Sequence, residues 1–240
     1  AFNSNDIKNL NTTWPLPKYK KDIVMIGAGG IVSDAHLPAY KKAKYNVVGI
    51  FDPIEEKAIK CAEDFKIKEI YKSLEDALKK KNVVFDIAVP PAILIDVVKK
   101  IPENSICQFQ KPLGNSLDQA REIKKIVNEK KIIACVNLQL KFSPMMLALK
   151  DAIDKKIITD INELEISLSV GTPWQLWPFL EKLDNVELPL HSIHYIDWIR
   201  SLLGEPKSVH CKSLKHKKFP NLSDSRSSII LDYGENIRCC

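Results

Sequence analysis

Several things are missing from this chain, and each absence closes off a class of function. No apolar run approaches the length needed to cross a bilayer, and no apolar stretch with a basic flank stands near Ala1 to suggest a secretory signal. No Cys-x-x-Cys and no Cys/His spacing of the zinc-site kind occurs among the six cysteines, so no metal is expected. No Gly-Lys-Ser/Thr follows the glycine cluster near residue 28, which excludes a Walker-type phosphate loop. The formal charge of +6 is scattered through lysine-rich segments and never gathers in one basic block, which argues against nucleic acid as a partner. No internal repeat or low-complexity tract is visible. A cytoplasmic, soluble protein with reduced thiols and no membrane partner is the expectation, with Cys107 and Cys135 buried inside apolar runs.

What the 240 residues do contain is a rhythm. From residue 21 short apolar runs alternate with longer helical segments, as in a parallel sheet covered by helices. Five strands are expected, at Ile23 to Ile26, Val47 to Phe51, Val84 to Val89, Ile106 to Phe109 and Ile132 to Val136. Their near-continuous apolar character predicts burial on both faces. Ser73 with Asp76, and Ser116 with Gln119, have the spacing of capping boxes that open helices.

Beyond Asn137 the rhythm changes to a helix near Met145 to Lys155, a long strand from Glu163 to Val170, a loop rich in Trp and Pro, and a helix from Leu190 to Leu203 closed by Gly204. Two further strands follow, at Lys207 to Ser213 and Ser227 to Tyr233. The expected class is therefore α/β: a Rossmann parallel sheet domain over 21–137, preceded by an irregular arm over 1–20. An α+β domain with a mostly antiparallel open sheet follows over 138–240.

Three clusters carry chemistry. Gly27-Ala28-Gly29-Gly30 lies between a strand and a helix, where glycines permit a tight turn and let backbone N–H groups approach a pyrophosphate; Gly27, Gly29, Gly30 and Ile31 are the candidate contacts. Val32 occupies the third glycine position of G-x-G-x-x-G, so the turn alone is compatible with a plain strand-to-helix connection. Asp52, at the end of the second strand, can accept both ribose hydroxyls and would repel a 2′-phosphate, which favours NAD over NADP. Pro90, Pro91 and Lys111 follow the next two strands and reach the crevice at the carboxyl ends of the sheet. There a lysine can donate to a substrate hydroxyl or be an ordinary surface residue.

The third cluster is His191, His194 and Asp197, at successive three-residue steps along one side of a helix. An imidazole supported by a carboxylate is what a general base near neutrality requires. A metal site and buried structural histidines are the competing readings. Trp174 and Trp177, ahead of that helix, can stack on a sugar ring or anchor the packing.

Taken in order, these segments resemble the Gfo/Idh/MocA family, named for glucose-fructose oxidoreductase, inositol dehydrogenase and a rhizopine catabolism protein. Gly27 to Ile31 with His36-Leu37-Pro38-Ala39 is similar to the family's opening, Asp52-Pro53 to its second-strand acid, and Pro90-Pro91 to the turn beside the nicotinamide. Gln110-Lys111-Pro112 resembles the Glu-Lys-Pro motif, whose lysine contacts substrate and cofactor and whose Lys-Pro peptide is often cis. Asn137 to Pro144, including Gln139, resembles the passage into the second domain, and His194 to Asp197 the histidine helix.

The resemblance implies an NAD(P)-dependent oxidoreductase acting on a secondary alcohol of a sugar, cyclitol or similar polyol. Lys111, His194 and Asp197 would be catalytic, while Gln139, Trp174, Trp177 and His191 would join them at the substrate. It also implies a homo-oligomer formed through the second-domain sheet. Two departures stand out: Gln110 replaces a Glu, and Leu190 occupies a position where many members carry an Asp. They support an alternative, a nicotinamide-binding sensor or regulatory protein with little turnover. The chain also stops where the family's sheet has strands to come, which suggests a truncated chain.

Overall fold

A computed structural model describes residues 7–240, which divide into two compact units. One is Pro17–Asn137; the other comprises Leu138–Cys240 together with the described residues up to Leu16.

The Pro17–Asn137 unit is built on six parallel strands: β1 (Asp22–Ile26), β2 (Val47–Phe51), β3 (Glu69–Ile70), β4 (Val83–Ile87), β5 (Ile106–Phe109) and β6 (Ile133–Val136), in the order β3-β2-β1-β4-β5-β6. The order reverses between β1 and β4, and ligands bind open α/β sheets outside the carboxyl ends of the strands at such a point. A π-helical turn, Val32–His36, runs into α1 (Leu37–Lys42); α2 (Glu55–Phe65), α3 (Leu74–Leu78), α4 (Pro91–Lys100) and α5 (Leu117–Glu129) complete the crossovers. Ser73 and Ser116 cap α3 and α5 by accepting the N–H groups of Asp76 and Gln119, as their spacing predicts; such caps contribute about 1 kcal/mol each.

The register explains how the sheet presents its rim. Phe51, Ile26, Ile87, Phe109 and Val136 pair across the strands in one row. The next residue on each strand is Asp52, Gly27, Ala88, Gln110 or Asn137. Four of these carry the ladder one step further: Gly27 N–H donates to Phe51 O (2.7 Å), Ala88 to Ile26 (2.9 Å), Gln110 to Ile87 (2.9 Å) and Asn137 to Phe109 (2.8 Å). Burial of Ile26, Ile87 and Phe109 thus fixes a polar rim directly above them.

Two expectations fail here. Among the described residues β6 is an edge strand, paired only with β5, and Ile133 is 67% exposed, so its apolar sequence does not mean burial on both faces. Cys107 is buried as expected, but Cys135, on β6, is exposed for the same reason. The two-residue β3 is too short to leave a pattern in the sequence.

The other unit begins with a 3-10 turn, Gln139–Phe142, and α6 (Pro144–Asp154). Its later elements are β7 (Glu163–Leu164), a π-helical turn Leu188–Ser192 leading into α7 (Ile193–Leu203), β8 (Ser208–Leu214), β9 (Arg226–Asp232) and β10 (Arg238–Cys239). β8 and β9 pair antiparallel, while β7 pairs parallel with β10. The long strand expected over 163–170 shortens to two residues because β10 offers a partner only to Glu163 and Leu164, with one further bond from Ile166 N–H to Cys240 O (2.9 Å). Alternating apolar residues make no ladder without a neighbour.

The amino-terminal segment is not an independent arm. Asn11 N–H donates to the Asp151 carboxylate (2.8 Å), Lys155 Nζ to Asn9 O (3.0 Å), and the Trp14 and Phe142 rings meet edge-on at 5.0 Å. Among the described residues no helix is long and apolar enough to cross a membrane.

Candidate functional site

In the Pro17–Asn137 unit the glycine turn leaves β1 and enters the helix whose first residues are Gly30 and Ile31. The two key glycines serve different ends. Gly27 has φ +109°, and a Cβ there would lie 2.4 Å from Ala88 O, so only glycine lets the turn cross the end of β4. A Cβ on Gly29 would meet nothing within 4 Å, so that glycine keeps a space open in front of the helix start. The first N–H groups of a helix have no acceptor within it and carry partial positive charge, which suits a pyrophosphate.

Asp52 closes one side of this turn. One carboxylate oxygen accepts Ala28 N–H at 2.7 Å and the other accepts Ile54 N–H at 2.9 Å, which fixes the group at the end of β2 while lone pairs remain for ribose hydroxyls. The residues present therefore fit a dinucleotide: an open cradle, a helix start and an anchored acid. Pro90 is exposed at the end of β4, and Pro91 begins α4 from a buried position.

Lys111 follows β5, half-buried, and the Lys111–Pro112 peptide is cis. Burial holds its ammonium below the ordinary lysine range, since desolvation penalises the charged form. Beside it lies a network that sequence reasoning missed. Asp86 sits on β4, fully buried, and its register partner on β5 is Gln108. Because side chains alternate, Gln110 lies on the same face as Gln108, and that face is covered by the helix carrying His36 and Tyr40.

His36 Nδ1 lies 2.7 Å from Asp86 Oδ2, and Tyr40 O–H donates to the same oxygen at 2.7 Å. Gln108 donates to Tyr40 O (3.1 Å), Gln110 Nε2 lies 3.0 Å from His36 Nε2, and Lys111 N–H donates to Gln110 Oε1 at 2.8 Å. Burial, reinforced by the Asp86 charge, pushes the Tyr40 phenol far up, so it stays a donor. The one available signal was a lone acid inside the apolar run from Val83 to Val89; a buried charge in such a run calls for partners.

In the other unit the predicted residues separate. A cavity of about 670 Å³ is lined by His191, Trp174, Tyr195 and Arg226 among others, but not by His194, Asp197, Gln139 or Trp177. His191 and His194 therefore do not share one helix side. The π-helical turn Leu188–Ser192 holds an extra residue, so i, i+3 spacing no longer predicts alignment across it. His191 packs on the Trp174 ring, centroids 5.1 Å apart, and Trp174 is itself buried among Leu180, Leu183 and Val186. His194 is buried, and the Asp197 carboxylate lies 2.9 Å from Lys141 Nζ. Gln139 and Trp177 are exposed. No group of His, Cys, Asp and Glu able to hold a metal occurs among the described residues.

A family model described as "Oxidoreductase family, NAD-binding Rossmann fold", the Gfo/Idh/MocA model, matches residues 21–138. Residues 21–138 therefore belong to the NAD-binding Rossmann part of the Gfo/Idh/MocA oxidoreductase family.

Its relatives extend the likeness beyond the matched residues. The uncharacterized protein YMR315W of Saccharomyces cerevisiae is 27% identical over 198 residues, which are 78% of this chain and 57% of that protein. An oxidoreductase from Agrobacterium radiobacter, solved with NAD+, L-tartaric acid and magnesium, superposes with a TM-score of 0.75 at 17% identity, over 92% of this chain and 65% of the other. A candidate myo-inositol dehydrogenase from Sinorhizobium meliloti gives a TM-score of 0.73 at 20% identity, over 91% of this chain and 68% of the other. At these identities the structures establish a shared fold and nothing beyond it. The chain spans a little over half the length of the yeast relative.

Proposed function

We propose that this Gfo/Idh/MocA protein is an NAD-dependent oxidoreductase that moves a hydride between the nicotinamide and a secondary alcohol of a sugar, cyclitol or related polyol. The observation that carries the reading is Asp52, pinned by Ala28 N–H at 2.7 Å beside the open face of Gly29. An anchored carboxylate there accepts the adenosine ribose hydroxyls and repels a 2′-phosphate, which is the basis for preferring NAD.

Bound on this rim, a nicotinamide would supply the hydride donor or acceptor. The chain's own groups handle binding and protons. Gly29, Gly30 and Ile31 present backbone N–H groups to the pyrophosphate, and Pro90 and Pro91 border the nicotinamide. Lys111, with its proton held less tightly than an ordinary lysine's, donates to the substrate oxygen and stabilises charge as it develops there.

The alternative, a cofactor-binding sensor, draws on Gln110, which replaces a carboxylate beside Lys111. Fluorescence titration with NADH and NADPH, followed by a screen of myo-inositol and other polyols with NAD for formation of reduced cofactor, separates the two. Lys111→Ala serves as control. Tight NADH binding with turnover lost in Lys111→Ala is the expected result. Failure to bind either cofactor removes the reading, and binding without turnover of any polyol supports the sensor.

A further inference from the structure

We propose that Gln110 is the positioning residue for Lys111, held in one amide orientation by His36, and that this lock fixes His36 as the neutral imidazole with its proton on Nδ1. The inference rests on reading Lys111 as the substrate-facing lysine, but the hydrogen-bond logic is independent of it.

Gln110 N–H donates to Ile87 O at 2.9 Å, so the main chain at 110 is fixed to the rim of the sheet before any side chain is considered. Lys111 N–H can only donate, and it points at one end of the Gln110 amide at 2.8 Å. That end must be the oxygen, so the NH₂ group is the end facing His36 Nε2 at 3.0 Å. A second amide, Asn137 Nδ2, approaches the same nitrogen at 3.3 Å, with its own backbone tied to Phe109 O at 2.8 Å. His36 Nε2 is thus an acceptor and carries no proton.

The imidazole proton is therefore on Nδ1, 2.7 Å from Asp86 Oδ2. The rest of the network agrees. Tyr40 O–H also donates to Oδ2, and Gln108 donates to Tyr40, so every donor from both sides runs toward the single buried carboxylate. No member is asked to donate to a donor. Reversing the Gln110 amide would set NH₂ against the Lys111 N–H and force a proton onto His36 Nε2, breaking two bonds at once.

A carboxylate at position 110 would reverse this arrangement. Both of its oxygens accept, so His36 would need protons on both nitrogens and would lie as an imidazolium between two carboxylates. It would also add an anion next to Lys111, favouring the charged ammonium that burial now disfavours. Gln110 keeps the acceptor that Lys111 N–H needs without that charge.

The test is nitrogen NMR of the whole chain labelled at its histidine rings, with the His36 signal assigned by its loss in His36→Asn. It is run beside amide hydrogen exchange at Lys111 and an NADH titration. The native protein is expected to show the His36 proton on Nδ1 and none on Nε2, and Gln110→Glu to show a proton on Nε2. Exchange at Lys111 N–H should rise roughly tenfold in Gln110→Ala, the scale of one hydrogen bond. In Gln110→Glu, which retains an acceptor, it should stay near the native rate. A native His36 protonated on Nε2, or Lys111 exchange unchanged in Gln110→Ala, overturns the proposal. Should Gln110→Ala not fold, the native tautomer and Gln110→Glu decide alone. Loss of NADH binding with the Nδ1–H signature intact removes the dehydrogenase reading and leaves the lock standing.

Discussion

His36 and Asp86 meet across the buried face of β4, nitrogen to oxygen at 2.7 Å, and no other titratable pair in the Pro17–Asn137 unit is buried so fully among the described residues. Asp86 is the shared acceptor for His36 and Tyr40. Asp86→Ala leaves both donors buried with nothing to bond. At roughly 1–3 kcal/mol for each unsatisfied group, the loss of stability is expected at about 2–6 kcal/mol. Asp86→Asn keeps one accepting oxygen and should cost less. Urea denaturation of the three proteins checks the order; equal midpoints for Asp86→Ala and the native chain would remove Asp86 from the stabilising network.

The glycine turn yields a pair of substitutions with opposite outcomes. Gly27→Ala drives a Cβ into Ala88 O at 2.4 Å with φ at +109°, a backbone clash that no side chain can relieve. Gly29→Ala adds its methyl to open space and should leave the melting temperature near the native value while weakening NADH binding. Thermal melts and NADH titrations of both variants test this. Unimpaired NADH binding by Gly29→Ala would mean the cofactor does not lie against that face.

These contrasts show what a sequence can and cannot convey. The five longer strands and the caps at Ser73 and Ser116 were legible because burial and capping leave periodic or short-range marks. β3 was not, being two residues long. The exposure of Ile133 depends on which strand ends at the sheet edge, a property of topology that apolar composition does not encode. At the site, Gly27, Asp52 and Lys111 stood out as local motifs. The network behind Lys111 did not, because His36, Asp86, the Gln108 and Gln110 pair and Asn137 come from four different segments and meet only through the strand register. The π-helical turn before α7 misled in the opposite direction, since a regular helix would have aligned His191 with His194.

Asp52 carries the proposed cofactor preference. Asp52→Ala removes the acceptor for the ribose hydroxyls and the charge that repels a 2′-phosphate, so NADH affinity should fall roughly tenfold or more while NADPH loses less. The ratio of the two dissociation constants is the measurement. Its removal also frees Ala28 N–H and Ile54 N–H, so circular dichroism of the variant must match the native chain. A variant that folds and keeps the native ratio would show that Asp52 does not select the cofactor.

Lys111 links the site to stability through pH. Burial lowers its folded value below 10.5, so between the folded and unfolded values the unfolded chain binds more protons at this residue. Stability rises with pH wherever the unfolded state holds the extra proton. The cost of burying the ammonium is therefore fully present below the lowered folded value, shrinks as pH climbs through the window, and is gone above the ordinary lysine value of 10.5. Lys111→Met, which fills similar space without charge, should be more stable than the native chain at neutral pH. Its advantage should fade as pH approaches 10.5. Denaturation midpoints of both proteins across neutral to alkaline pH give the difference directly, and the subtraction cancels the other titrating groups they share. A difference that is constant or grows with pH would show that the Lys111 ammonium is not held in a desolvated setting. That would remove the reason for reading its proton as held less tightly than an ordinary lysine's.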